Sequence, residues 1–470
     1  MKRFHWLGFV LFLYVICTGC GETFRPIIIP NPPQFPNPAA AHTVVSINDN
    51  GTVVGGTAMV IDVSGDTDVS IANVGLAPVH AVQQTASQVL VANHSVTGAQ
   101  QDSITKLNFS STVIGSTNTI SLPANSAPNF VATTEGSQAY VLLPNLTSVG
   151  VVNTVGNSLS GTFPVGNNPV AMAETPNAQK LYVANQDDST ISGFNINGPN
   201  LSPRAVSPVS TTSPPIWLVA RSDSQALYAL ELNGTLAWLD TSSTAGPDVL
   251  TETSNPLIQV AGATTMTYDS NLLRLYIPGG QQMAIVDVSQ SPPQYLAGGP
   301  IPTCDQAPHS SNCIPTVAPS SRGASDPCSL TSAQALTVVA VAALPDGSRA
   351  YVGAYYEDAN DNICPQVTVV WVTSNTIKTT VAIPGFPDAT NPSSQYYVPV
   401  CATTRFRFMM AAGGDSSHAY LSSCDGGMVN IVDTSSDTYI TNLTAPVSSR
   451  SVVGSSQNPP QNPVFLIAGP

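Results

Sequence analysis

Apolar residues in this chain come in short runs separated by polar turns. From Asn168 to Ile196 the sequence reads NPVAMAETPNAQKLYVANQDDSTISGFNI. A short apolar segment, a turn at Pro176-Asn177, the run Leu-Tyr-Val-Ala, a turn over Gln186-Asp187-Asp188-Ser189 and an alternating segment predict three short strands. The Leu-Tyr-Val marker at 181–183 recurs as Val89-Leu90-Val91, Ala139-Tyr140-Val141, Leu227-Tyr228-Ala229, Leu275-Tyr276-Ile277, Ala350-Tyr351-Val352 and Ala419-Tyr420-Leu421. Successive central residues lie 50, 42, 46, 48, 75 and 69 apart. The first four intervals share one period; the last two are a period plus an insertion.

Each marker follows a turn and an apolar strand, as in AVAALPDGSRAYV. It precedes an alternating strand ending near Asp or Asn: AMVIDVS, LAWLDTS, MAIVDVS and VNIVDTS, with VGVVNTV and ISGFNIN as weaker versions. A further strand closes the unit, as in TYITNLTAP. Four antiparallel strands repeated radially make an all-β fold, a single β-propeller. The recurring Asp or Asn is expected to cap the turn leaving the third strand. Seven markers give seven blades. The segment from His42 adds three strands lacking a leading one, and NPVFLIAGP at the C-terminus matches the missing strand. Joining the chain ends closes a ring of eight blades, with seven as the alternative if one unit is degenerate, and removes free sheet edges. The propeller is assigned to 42–470, with insertions at about 300–334 and 385–404.

Charged residues make up only 9% of the chain, and Ser, Thr, Asn, Gly and Pro take their place. This suits many turns and disfavours long exposed helices. A formal charge of −14 with scattered Lys and Arg excludes nucleic acid as a partner. Lys2 and Arg3 precede an apolar stretch from Phe4 to Thr18, which has the length of a signal h-region rather than a membrane span. The following Cys17-Thr18-Gly19-Cys20 resembles the lipobox of bacterial lipoproteins, with Cys17 where that family usually carries Leu. The resemblance implies a signal peptide over 1–19, a lipidated Cys20 and an exported, membrane-anchored protein, at the outer membrane or periplasmic face, with Gly21 implying outer-membrane delivery if the source is Gram-negative. An ordinary secretory signal is the alternative. Arg25–Ala41 holds six prolines and reads as an extended tether, giving a segment from 20 to 41 that joins anchor to propeller.

Six later cysteines, Cys304, Cys313, Cys328, Cys364, Cys401 and Cys424, form no C-x-x-C pair and suggest three disulfides in an oxidising compartment. Fifteen pairings are possible, and Cys304 with Cys313 is favoured as a bond within one loop. His42, His80, His94, His309 and His418 lie in different units with no metal-ligand spacing. Asp358, Asn360 and Asn362 have the spacing of a calcium loop. Ile363 and Val369 stand where an EF-hand needs Gly and Glu, so they remain a weak calcium candidate; DVSGDTD at 62–68 carries the same discount. Trp217, Trp238 and Trp371 are expected to pack between blades, not to dock a cofactor. No nucleophile elbow, Walker loop or dinucleotide fingerprint appears, and no cofactor or catalytic residue is assigned.

VGNNPVAMAETPNAQKLYVANQDDSTISGFNI and LPDGSRAYVGAY resemble the YVTN-type β-propeller repeats of prokaryotic envelope proteins, a family similar to the lactonase-type propellers. The resemblance is strong over 165–196 and fair at 335–356 and 411–434. Two functions follow as expectations. The first is a non-catalytic, lipid-anchored scaffold, monomeric, binding a protein, peptide or glycan through its loop face. The alternative is a lactonase-like hydrolase with a site at the mouth of the central channel. Acidic, basic and His residues converging at the channel favour the enzyme; small and apolar ones favour the scaffold.

Overall fold

The computed structural model describes residues 42–469 apart from 52, 96–100, 135, 245, 253–256, 306–310, 330–334, 388–400, 402–406 and 450–457. The signal, Cys20 and tether therefore lie outside the described residues, as does His309.

Eight antiparallel sheets form the ring of a propeller. Among the described residues the only helical elements are three single 3₁₀ turns. Blade 1 combines Thr43–Asp49, Thr57–Asp62 and Thr67–Asn73 with the C-terminal Asn462–Gly469. The terminal strand pairs along Thr43–Asp49, from Thr43 opposite Gly469 to Asp49 opposite Asn462. It is the innermost strand of its blade, as the match of NPVFLIAGP to NPVAMAETP anticipates. Blades 2 to 8 begin at Pro78, Phe130, Pro169, Pro215, Thr267, Thr337 and Phe408 and run outward in sequence order. Blades 4, 6 and 7 each add a short fifth strand.

The markers are the second strands. Tyr140, Tyr182, Tyr228, Tyr276, Tyr351 and Tyr420 are all buried, with Leu90 in the same register in blade 2. The core is correspondingly a ring of layers between blades, not one central mass. One cluster fills the seam of blades 2 and 3, another joins blades 3, 4 and 5, and another lies between blades 8 and 1. Alternating side chains make this possible, because each strand feeds both neighbouring seams.

The connection entering a blade also repeats. Gly75 and Gly166 each stand three residues before the proline that opens the inner strand, and a Cβ on either would fall 2.7–2.8 Å from the Asn that ends the second strand, Asn93 or Asn185. The amide of Asn93 donates to Thr105 Oγ1 (3.1 Å) and that of Asn185 to Ser192 Oγ (2.9 Å), tying second strand to third. The residue before each proline, Ala77 or Asn168, takes a positive φ. Much of the opening stretch thus reads as scaffold.

Candidate functional site

Because the blades are meanders, turns joining strands one to two and three to four lie at one end of the ring. Turns joining strands two to three, and the connections between blades, lie at the other. The first end is compact. Asp62, Asp240, Asp287 and Asp433 each accept the backbone N–H two residues on at 2.9 Å, and Asn153 accepts from Val155 and Gly156, as the capping role requires. The ISGFNIN segment differs: its strand continues to Asn197, and Asn195 accepts from Arg204.

Cations fasten the same end from blade to blade. Lys106 donates to the carbonyl of Thr154, Lys180 to Thr241, Arg221 to Val288, Arg274 to Val372 and Arg349 to Thr434. Every acceptor is the residue immediately after a third strand, in the following blade. Carboxylates join several seams, that of blades 8 and 1 through Asp66 facing His418. Tyr182 donates to Asp248, which also pairs with buried Arg204 at 2.6 Å. Tyr351 and Arg349 both reach Asp437. At the seam of blades 3 and 4, Glu174 accepts the Thr134 N–H at 2.7 Å, and burial pushes its carboxyl up to about 7. Burial also raises the tyrosine hydroxyls, keeping them protonated donors.

Long connections gather at the opposite end, between Ser121 and Phe130, Glu252 and Thr267, Pro302 and Thr337, Pro387 and Phe408, and Thr444 and Asn462. All three disulfides are there: Cys304–Cys313, Cys328–Cys364 and Cys401–Cys424. The favoured local pair is present. Two of the six cysteines lie outside the assigned insertions: Cys364 is on the strand Asn362–Trp371 and Cys424 directly follows His418–Ser423. Two bonds therefore staple an insertion to a blade. Arg322 reinforces one staple, donating to the carbonyls of Ile383 (2.7 Å) and Pro365 (2.9 Å), while Arg407 pairs with buried Asp425 at 2.6 Å.

At this end the ring centre is aromatic. His80 stacks on Phe130 with centroids 3.8 Å apart and lies 4.4 Å from Phe465; Phe130 meets Trp217 edge-on at 5.5 Å. These residues come from the inner strands of blades 2, 3, 1 and 5, so Trp217 reaches past blade 4 on the channel side. Trp238 does pack in the seam of blades 5 and 6. Trp371 departs from expectation: it occupies the place of the capping Asp, is 38% exposed and lies 4.7 Å from Lys378 Nζ. The inner strands carry four ionisable groups among the described residues, His80, Glu174, Tyr268 and Asp269, the last two adjacent in one strand. Glu174 and Asp269 end their strands at the compact end, whereas His80 belongs to the aromatic cluster. The remainder of the inner strands is largely Val, Ala, Met, Ile and Phe.

Asp358 is buried, and its carboxylate accepts the N–H groups of Asn360 (2.8 Å) and Asn362 (2.9 Å) and the Asn362 amide. It also lies near Cys328 and Cys364, whose sulfurs are joined to each other. Donors thus point at the oxygens a cation would need. His42 is exposed beside blade 1, His94 follows the second strand of blade 2, and His418 faces Asp66. The interblade cations escaped the sequence reading, where they look scattered. The signal was their spacing: Lys180, Arg274, Arg349 and His418 each stand two residues before the marker tyrosine.

No family model matches this sequence, and no curated protein matches it. Solved structures do match in fold, and an eight-bladed β-propeller is the class the chain defines. The dihydro-heme d1 dehydrogenase NirN is similar at TM-score 0.57 and 11% identity, over 90% of this chain and 75% of that one. Apo AztD from Citrobacter koseri is similar at TM-score 0.54 and 11% identity, over 90% and 97%. The periplasmic gluconolactonase PpgL of Pseudomonas aeruginosa is similar at 0.49 and 11%, over 91% and 99%. At such identities the likeness concerns the fold alone.

Proposed function

We propose that this chain is an exported, membrane-tethered propeller that binds a protein, peptide or glycan on its insertion end, without catalysis. The observation carrying this reading is the division of labour between the ends. Capping carboxylates and interblade cations occupy the compact end, while the long connections collect at the other, where binding surfaces on rigid scaffolds are usually built. Exposed apolar side chains occur at both ends, among them Val53, Leu232 and Val447 at the insertion end and Val155 and Val249 at the compact end. They do not discriminate by themselves.

The hydrolase reading has less support. The inner strands bring no acid, base and cation together among the described residues. All nine described Lys and Arg side chains have an acceptor within the chain. A phosphorylated sugar needs a free cation to match its charge. Three disulfides fit an oxidising compartment. The described chain enters at Thr43, paired with Gly469 at the compact end. Lipidation at Cys20 would tether the propeller to the bilayer through the segment 20–41.

The test is site-specific photocrosslinking in intact cells. A photoreactive residue at Leu232 or Val447 should give discrete adducts, and one at Val155 or Val249 none. Adducts from the compact end alone, or turnover of simple lactones by the purified protein, would overturn the reading. Cys20→Ala should release the protein from the membrane fraction; equal partition of variant and parent would remove the anchor.

A further inference from the structure

The seam of blades 8 and 1, where the ring is closed, repeats the seam of blades 7 and 8 with one substitution. At the latter, Arg349 and Tyr351 from a second strand meet Asp437, the residue before the next blade's fourth strand. At the closing seam the corresponding groups are His418, Tyr420 and Asp66. Five other seams use Lys or Arg, which keep their charge at all physiological pH. Only here among the described seam cations does a histidine, which changes charge between about pH 5 and 8, take the position.

The local hydrogen bonds make the contact depend on that charge. Ser417 Oγ gives its one proton to Asp415 Oδ1 at 2.7 Å, so toward His418 Nδ1, 2.8 Å away, it acts as acceptor. Nδ1 therefore holds a proton, and Nε2 holds one only in the imidazolium. Nε2 lies 3.5 Å from Asp66 Oδ2. The neutral ring turns a lone pair toward that carboxylate, and the cation turns an N–H. The remaining groups around it are acidic or neutral: Asp62 and Asp66 from blade 1, and Asp415, Asp433 and Tyr420 from blade 8. The Tyr420 hydroxyl and Asp66 Oδ1 are both buried and interact across the seam, but not in the close hydrogen bond that Tyr351 makes with Asp437.

We propose that the closing seam is a proton-dependent latch: protonated His418 holds Asp66 across blades 8 and 1, and deprotonation loosens the blade completed by the terminal strand. The sign follows from the chemistry. The imidazolium offers an N–H to the Asp66 carboxylate and makes the contact, and the neutral ring offers a lone pair and does not. Burial raises the Asp66 carboxyl, with His418 opposing, so strong acid also removes the pair.

Hydrogen exchange of the intact protein at pH 5.5 and 8.0, corrected for intrinsic rates, tests the latch. Amides of Thr57–Asp62 and Asn462–Gly469 should lose about fivefold protection at the higher pH, while those around Thr434 hold theirs. His418→Arg, which copies Arg349, should abolish the loss. An equal loss in His418→Arg, or an equal loss in the wild type at the seam of blades 7 and 8, would overturn the proposal. The wild-type comparison of seams decides the matter even if the variant folds poorly.

Discussion

The two ends of this ring solve different problems with the same scarce chemistry. At the compact end, one carbonyl position after each third strand recurs as an acceptor, and five cations from preceding blades find it. At the insertion end, among the described residues, the fastenings of the long connections are individual: disulfides, buried Arg322 and buried Asp425 each secure a particular loop. Periodic fastening belongs to the scaffold, because every seam presents the same backbone. Idiosyncratic fastening belongs to the insertions, whose lengths and sequences differ from blade to blade.

The largest break in this contrast should come from the strand that closes the ring. Deleting Pro463–Pro470 removes buried Val464, Phe465 and Leu466 and bares the edge of Thr43–Asp49. At about 1.5–3 kcal/mol per buried side chain, the loss is several kcal/mol, and calorimetry should find an unfolded or aggregating protein. Deleting residues 21–40 should leave melting unchanged.

Next comes Arg204→Ala at the compact end. It strands Asp248, whose side chain is 3% exposed, without its bidentate partner. A cost of about 3–5 kcal/mol by denaturant unfolding is expected. Glu174→Gln should act in the opposite direction. A carboxyl raised to about 7 by burial binds its proton more tightly in the folded state. Its contribution is full below the unfolded value of 4.5 and is lost as pH rises to about 7. The Gln variant should therefore match the parent near pH 4 and exceed it by up to about 3 kcal/mol at pH 8. The smallest effect belongs to the loop tips. Leu232→Ser and Val447→Ser should each shift stability by no more than about 0.5 kcal/mol while weakening any adduct formed there.

Much of the scaffold was legible in the sequence because its physics is local and periodic. Leu-Tyr-Val strands need the same neighbours in each blade, and a terminal NPVFLIAGP lacking partners of its own pointed to closure. The second-strand cations were less visible because a lone Lys180 or Arg274 is informative only beside its equivalents. The centre of the insertion end was not legible: His80, Phe130, Trp217 and Phe465 meet from four blades, and no spacing in the chain records that meeting. Asp358 shows the converse. Its calcium-like spacing is real, but two backbone N–H groups already meet one of its oxygens and the Asn362 amide meets the other.

The contrast between the ends is tested most directly by hydrogen exchange before and after reduction of the three disulfides at constant pH. Each bond contributes roughly 2–4 kcal/mol to the segment it closes. The account predicts that protection falls around Cys304–Ile314, Asn362–Gln366 and Phe408–Met410. The compact rim at Thr154, Thr241 and Val288 should hold its protection. Uniform loss around the whole ring would contradict it, because the two ends would then be one cooperative structure and not a fixed rim carrying separable loops.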